Sequence, residues 1–340
     1  MGLNLVRYRG WFYLFSLIVL LPGAISLLIA PRLKAGIDFT GGSEFTVRFE
    51  QEVSQDDLKG ALSDLGHPEA RIQGTGENEY LVRTKELQGA LTAPPVGPQP
   101  AGLEQEEIQD GLIERFGPLL GADGEPSDSF ISSDSISETI SKEIRQNATF
   151  AIIAASVAIF FFLWWSFRAV PKPFRFGVAA IVALLHDALL VVGIFSILGK
   201  VIGTEVNVMF VTALLTVIGF SVHDSIVVFD RIRETVLRQE KMPFAEAVNA
   251  SLLQTLSRSL NTSLTLVFAI LALLLMGGGS IREFLWAMLI GTITGAYSSI
   301  FIASQMLVSW EEGDVPRFFR RLFNRETAEE EEYEEAYAEA

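Results

Sequence analysis

Six long apolar runs restrict this chain more than any other feature of it. They cover residues 11–30, 149–167, 177–198, 206–229, 260–276 and 284–308. A hydrocarbon core about 30 Å thick takes roughly 20 helical residues to cross, and it holds no water to satisfy free backbone groups. Each run is therefore expected to be a spanning helix, although the fifth is short for a span and the sixth long. Composition agrees, with 49% hydrophobic residues, 20% charged residues and 25 phenylalanines among 340. The first run also has features of a cleavable signal segment, namely a basic start and the small triplet Ala24-Ile25-Ser26. Leu27, Leu28, Ile29 and Ala30 carry the apolar run past that triplet, so a retained anchor is expected.

The formal net charge of −15 is unevenly placed. Residues 326–340 hold eight glutamates and no base, and residues 31–147 hold 22 acids against 10 bases, which leaves +5 for the remainder. An acidic chain with no basic stripe is a poor ligand for nucleic-acid phosphates. The absence of cysteine excludes thiolate metal sites, catalytic thiols and disulfides. Bases flank the spans asymmetrically. Arg7, Arg9, Arg168, Lys172, Arg175, Arg231, Arg233, Arg238, Lys241, Arg258, Arg317, Arg320, Arg321 and Arg325 put fourteen on one face. Arg32, Lys34, Lys142, Arg145, Lys200 and Arg282 put six on the other. Short loops retain Lys and Arg in the cytoplasm, so both termini are expected there and the loop 31–147 outside.

The expected organisation is a cytoplasmic N-terminus and first span (1–30), an outer domain (31–147), five further spans (148–310), and a cytoplasmic basic segment with an acidic, disordered tail (311–340). Within the outer domain, residues 43–50 alternate polar and apolar as a half-buried strand does. Ser54 and Asp57 form a short-chain capping box ahead of Leu58, Leu62 and Leu65 at helical spacing. Strands are expected at 70–73 and 80–84 around Gly74-Thr75-Gly76, then a helix at 103–116 and a weaker strand at 129–133. This order suits a ferredoxin-like α+β sandwich. The Pro-rich stretch 93–102 reads as an extended surface loop. His67, beside Pro68 in a turn, reads as a solvated loop residue. Glu104, Glu106, Glu107 and Asp110 suit a helix start, where the macrodipole favours acids, better than a metal site.

Four ionisable residues lie well inside the runs: His186 and Asp187 in the third, His223 and Asp224 in the fourth. A charge at the centre of a span costs at least about 2.5 kcal/mol, so proton or ion handling is the first hypothesis. Asp187 is near the middle of its span, whereas Asp224 is about 9 Å from Asp230, in the cytoplasmic third. Thr212, Thr216, Gly219 and His223 form a polar stripe on the fourth run, expected to line a helix interface or a watery path. Arg258, Asn261, Thr262 and Thr265 share a face of the fifth, which makes Arg258 a candidate partner for Asp224 that could bind the carboxylate and release the neutral acid. Gly291, Gly295 and Ser298 give the sixth a small face for close helix approach. The plainer alternatives are an Arg258 that snorkels at a helix end and an Asp187 that only accepts structural hydrogen bonds.

Together these residues resemble the SecD/SecF family of protein-export membrane proteins, on its SecF side, relatives of the proton-driven RND transporters. The likeness rests on Gly36-Ile37-Asp38-Phe39-Thr40-Gly41-Gly42, on His186-Asp187, and on the run from Val217 through His223-Asp224 to Asp230-Arg231-Ile232-Arg233-Glu234. It also rests on Ser257-Arg258-Ser259-Leu260-Asn261-Thr262-Ser263, and it extends to about residue 325. The resemblance implies a six-span protein of the bacterial plasma membrane with a ferredoxin-like outer domain. It implies partnership with SecD and the SecYEG channel, with YajC and YidC as further partners, and no cofactor beyond a transported H⁺ or Na⁺. It maps the intramembrane acid onto Asp224 and its arginine onto Arg258. His223 departs from the family, where many relatives carry asparagine, and the Pro-rich stretch and acidic tail lie outside the pattern. The rivals are an RND-type exporter of small hydrophobic molecules or lipids and a structural translocon scaffold. An enzyme is the least supported class, because no nucleophile, metal cluster or nucleotide loop is present in the sequence.

Overall fold

The computed structural model describes residues 4–87, 103–239, 241–276 and 281–314. The Pro-rich stretch 93–102 and the acidic tail lie outside them. After a 3-10 turn, the spans are α1 (Arg9–Leu28), α5 (Glu138–Ser166), α6 (Phe174–Val201), α7 (Val208–Arg238), α8 (Phe244–Met276), and α9 (Arg282–Ser298) continued through a π-helical turn (Ser299–Ala303) into α10 (Ser304–Glu311). All six expected spans are present. The helices extend past the apolar runs because capped polar turns continue them. Ser137 caps α5 by accepting from Ile140 N–H, so this helix begins well before residue 149, inside the stretch expected to belong to the outer domain. The fifth run is not short as a helix, since α8 is 33 residues long.

The outer domain contains the short helix α2 (Ile37–Thr40), β1 (Gly42–Arg48), α3 (Gln55–Asp64), β2 (Arg71–Gly76), β3 (Glu79–Thr84), α4 (Leu103–Phe116), a small hairpin β4 (Leu119–Leu120) and β5 (Pro126–Ser127), and β6 (Ser132–Ile136). The sheet order is β2-β3-β1-β6 with every neighbour antiparallel, which is the ferredoxin-like arrangement. Period-2 alternation buries Phe45 and Val47 of β1 against Leu58 and Leu62 of α3 and Ile108 and Leu112 of α4. Ser54 caps α3 as expected, accepting from Asp57 N–H at 3.1 Å. Two expectations are corrected. The β2–β3 turn falls at Glu77 and Asn78, the latter at φ 55°, and Gly74 and Gly76 belong to an irregular β2. His67 is buried at 6% exposure, with Nδ1 3.0 Å from Thr84 Oγ1 and Nε2 3.6 Å from Glu104. The tight turn and Pro68 suggested a solvated loop, but the end of β3 at Thr84 and the start of α4 at Glu104 enclose the ring.

The spans pack where side chains are small. A Cβ at Gly291 would collide with Val217 of α7, and one at Gly295 would lie 3.1 Å from the Ser221 Cβ. The small face of the sixth span thus seats α9 on α7, as van der Waals packing in a membrane favours. A second crossing, Gly23 of α1 against Gly193 of α6 at 2.8 Å from the built Cβ, was not read from the sequence. The basic end of the bundle lies opposite the outer domain, and Arg9 pairs there with Glu312 and Asp314 while Lys172 and Arg175 pair with Glu311.

Candidate functional site

The two intramembrane acids have different surroundings. Asp187 is 1% exposed at the meeting of α6, α7 and α9. Its Oδ2 accepts from Ser221 Oγ at 2.5 Å and from Ser298 Oγ at 2.6 Å, and its Oδ1 lies 2.9 Å from His186 Nδ1. In the neutral ring the carboxylate fixes the proton on Nδ1, which leaves Nε2 to accept from Ser16 of α1. One carboxylate thus joins four spans, and its lone pairs are largely used.

Asp224 is half-buried on α7, and the one side chain that donates to it among the described residues is Ser263 of α8, at 3.2 Å. It borders a cavity of about 570 Å³ lined by His223, Thr262, Ser263, Thr265 and, from α9, Gly291, Thr292 and Gly295. The Thr292 hydroxyl is buried and has no hydrogen-bond partner among the described residues. Small residues on α9 therefore have two effects. They let α9 approach α7, and they leave open space beside the carboxylate.

Helical periodicity groups the polar residues on shared faces but does not say what those faces meet. Thr212, Gly219 and His223 on α7 and Arg258, Asn261, Thr262 and Thr265 on α8 are exposed, and Thr216 is partly so. Among the described residues no other span covers that face. Among the described residues no ion pair joins Asp224 to Arg258; the arginine lies five residues before Ser263 on α8, about 7.5 Å along the axis.

A further ionic cluster, not read from the sequence, lies where the outer domain meets the spans. Glu205, in the α6–α7 loop, is 4% exposed, 3.3 Å from Arg83 Nη1 and 3.7 Å from Arg71 Nη1. Burial pushes its carboxyl above the usual carboxylate range even though both arginines draw it down. Burial opposes the charge on Arg83, yet Glu44 and Glu205 together hold that guanidinium more firmly protonated than usual. In sequence, the only signal was an acid and a glycine between two spans.

Six helices long and apolar enough to span a membrane, an α+β sandwich at one end of them and carboxylates within the spans define a multi-pass membrane protein built around intramembrane acids. The model for the C-terminal region of protein export membrane protein SecD/SecF matches residues 120–313, and that for the SecD/SecF GG motif matches residues 27–53. The chain belongs to the SecD/SecF family. The protein translocase subunit SecF of Thermobaculum terrenum is 46% identical over 94% of this chain and 97% of its own length. The SecDF subunit of Bacillus subtilis is 33% identical over 89% of this chain, which corresponds to 37% of its own length. The crystal structure of SecDF from Thermus thermophilus, described as a translocon-associated membrane protein, matches with a TM-score of 0.74 at 33% identity over 92% of this chain. The present chain spans 39% of that one. Membership assigns the chain to protein translocation as a SecF-type subunit, and the small-molecule exporter reading is not favoured.

Proposed function

We propose that this chain forms the SecF half of a SecD–SecF assembly that couples ion movement past Asp224 to work by the outer domain on a preprotein. The observation that carries this reading is the uncovered polar face of α7 and α8 beside the Asp224 cavity. Such a face is costly against lipid, so a second helical half is needed to cover it. Relatives named SecDF hold more than twice this length in one chain, which makes SecD the natural cover. SecYEG is then the channel served, and YajC and YidC are further candidates for the assembly. The fourteen-to-six bias of bases supports cytoplasmic termini and an outer domain outside the plasma membrane.

The cycle has two states of Asp224. Protonated, it keeps the Ser263 hydroxyl and leaves Arg258 free. Ionised, it attracts the guanidinium, and α7 and α8 slide past one another to bring the two together. One proton moving down a potential of 100 mV supplies about 2.3 kcal/mol, enough to bias such a rearrangement. A carboxylate among hydroxyls serves H⁺ or Na⁺. His223, a second titratable group at the cavity, favours H⁺.

The test is preprotein export into energised vesicles containing this chain, SecD and the channel. Stimulation by a proton gradient is expected to disappear in Asp224→Asn, and affinity purification of the parent is expected to recover SecD and channel subunits. Parental stimulation in Asp224→Asn would refute ion coupling at this residue. Stimulation by a sodium gradient alone would reassign the ion.

A further inference from the structure

The segment that leads from α1 into the outer domain is bound to the outer end of α7. Ala35 forms a parallel bridge with Val206, Val206 N–H donates to Lys34 O at 2.7 Å, and Gly36 N–H donates to Val206 O at 2.8 Å. Asp38 Oδ2 accepts from Val208 N–H at 2.7 Å, one of the first-turn donors of α7 that the helix itself cannot satisfy. An acid there also faces the positive end of the helix dipole. Beside this contact, Glu205 holds Arg83 of β3 and Arg71 of β2, and Arg83 also binds Glu44 of β1. Gly36, the first glycine of the motif, permits the close approach, since a Cβ there would lie 3.3 Å from Val206 O, and two further glycines turn the chain into β1. Gly41 and Gly42 have φ of +76° and +128°, and a Cβ on Gly42 would lie 2.5 Å from Thr84 O. Two of the four strands thus contact one loop, a third is joined to them through Arg83, and that loop leads directly into the helix that carries Asp224.

We propose that Asp38 and Glu205 are positioning residues that fasten the outer domain to the first turn of α7, so that movement of the helix bearing Asp224 is passed directly to the domain. The proposal rests on the ion-coupling reading above. The spans α1 and α5 border the domain in sequence, but neither carries the ion site, whereas α7 runs unbroken from Val208 past Asp224. A helix transmits an axial shift along its length because its hydrogen bonds lie along the axis. The function assigned to the glycine motif is mechanical. Gly36 brings the backbone against Val206 with no side chain in between, and so sets Asp38 at the first turn of α7.

The chain has no cysteine, so Ala35→Cys with Val206→Cys adds one defined pair at the parallel bridge. The full chain carrying Asp38→Ala and Glu205→Ala, assembled with SecD and the channel, is expected to lose gradient-driven export to the level of Asp224→Asn. It should still co-purify with SecD and still respond to the gradient in proton uptake. Adding the cysteine pair and oxidising it should restore export, and reduction should abolish it again. Three results overturn the proposal: undiminished export in the Asp38→Ala/Glu205→Ala chain, a loss that the oxidised pair fails to restore, or arrest of the otherwise parental chain when the pair is oxidised. Failure of ion coupling itself is read separately, as parental export by Asp224→Asn.

Discussion

Asp187 and Asp224 are both carboxylates in apolar spans, and their surroundings differ in kind. Asp187 is enclosed and accepts from Ser221 and Ser298, with His186 against its other oxygen. Among the described residues Asp224 has one hydroxyl donor, Ser263, and it borders an open cavity. A buried acid whose acceptors are filled holds helices in one arrangement, because any shift leaves donors unpaired. A half-satisfied acid beside open space can change partners at little cost. The first is suited to fix a bundle and the second to switch.

The largest expected effect separates these roles. Asp224→Asn should abolish gradient-driven export with little change in thermal stability, whereas Asp187→Asn should keep most of that export, because the amide oxygen can still accept from Ser221 and Ser298. Equal loss in both would break the distinction, and paired export and melting measurements would reveal it. Asp187→Ala should lower stability by about 2–3 kcal/mol, as the loss of hydrogen bonds to a charged group does; denaturant unfolding in detergent checks this. Gly291→Ala should cost about 1–3 kcal/mol by overpacking against Val217, with Val217→Ala restoring much of it. Additive losses in the double variant would mean that α9 is not seated as described.

The smallest effect concerns Glu205, an acid that is buried like Asp187 but ion-paired outside the membrane. Its carboxyl is raised by burial, so its contribution to stability is fully present below the ordinary glutamate pKa of about 4.3 and is lost as pH rises through the raised value. The melting temperature of the parent minus that of Glu205→Gln should therefore grow as pH falls from about 7 toward about 4. A difference that shrinks would show that pairing with Arg83 outweighs burial.

Much of the fold was legible because its signals are local. Apolar runs gave the six spans, alternation gave Phe45 and Val47 of β1, and Ser54 with Asp57 gave the start of α3. The candidate site was partly legible. The cost of a charge in lipid selected both acids, and helical spacing grouped the polar residues of α7 and α8. Spacing failed where the partner of a face mattered. It placed Arg258 near Asp224, where the structure puts Ser263, and it could not show that the stripe from Thr212 to His223 faces away from this chain's other helices. His67 was misread because burial by a distant strand leaves no trace in a four-residue turn.

The sequence by itself determined which segments enter the membrane and which acids enter with them, since transfer of each side chain into hydrocarbon depends mainly on that side chain and its near neighbours. The tertiary structure alone decided which acid is enclosed and which is left open, and which loop grips the outer domain. Those outcomes depend on how each helix is rotated about its axis and on contacts between residues far apart in the chain, such as Ser298 with Asp187 and Asp38 with Val208. A periodic pattern defines a face. Only packing determines what that face meets.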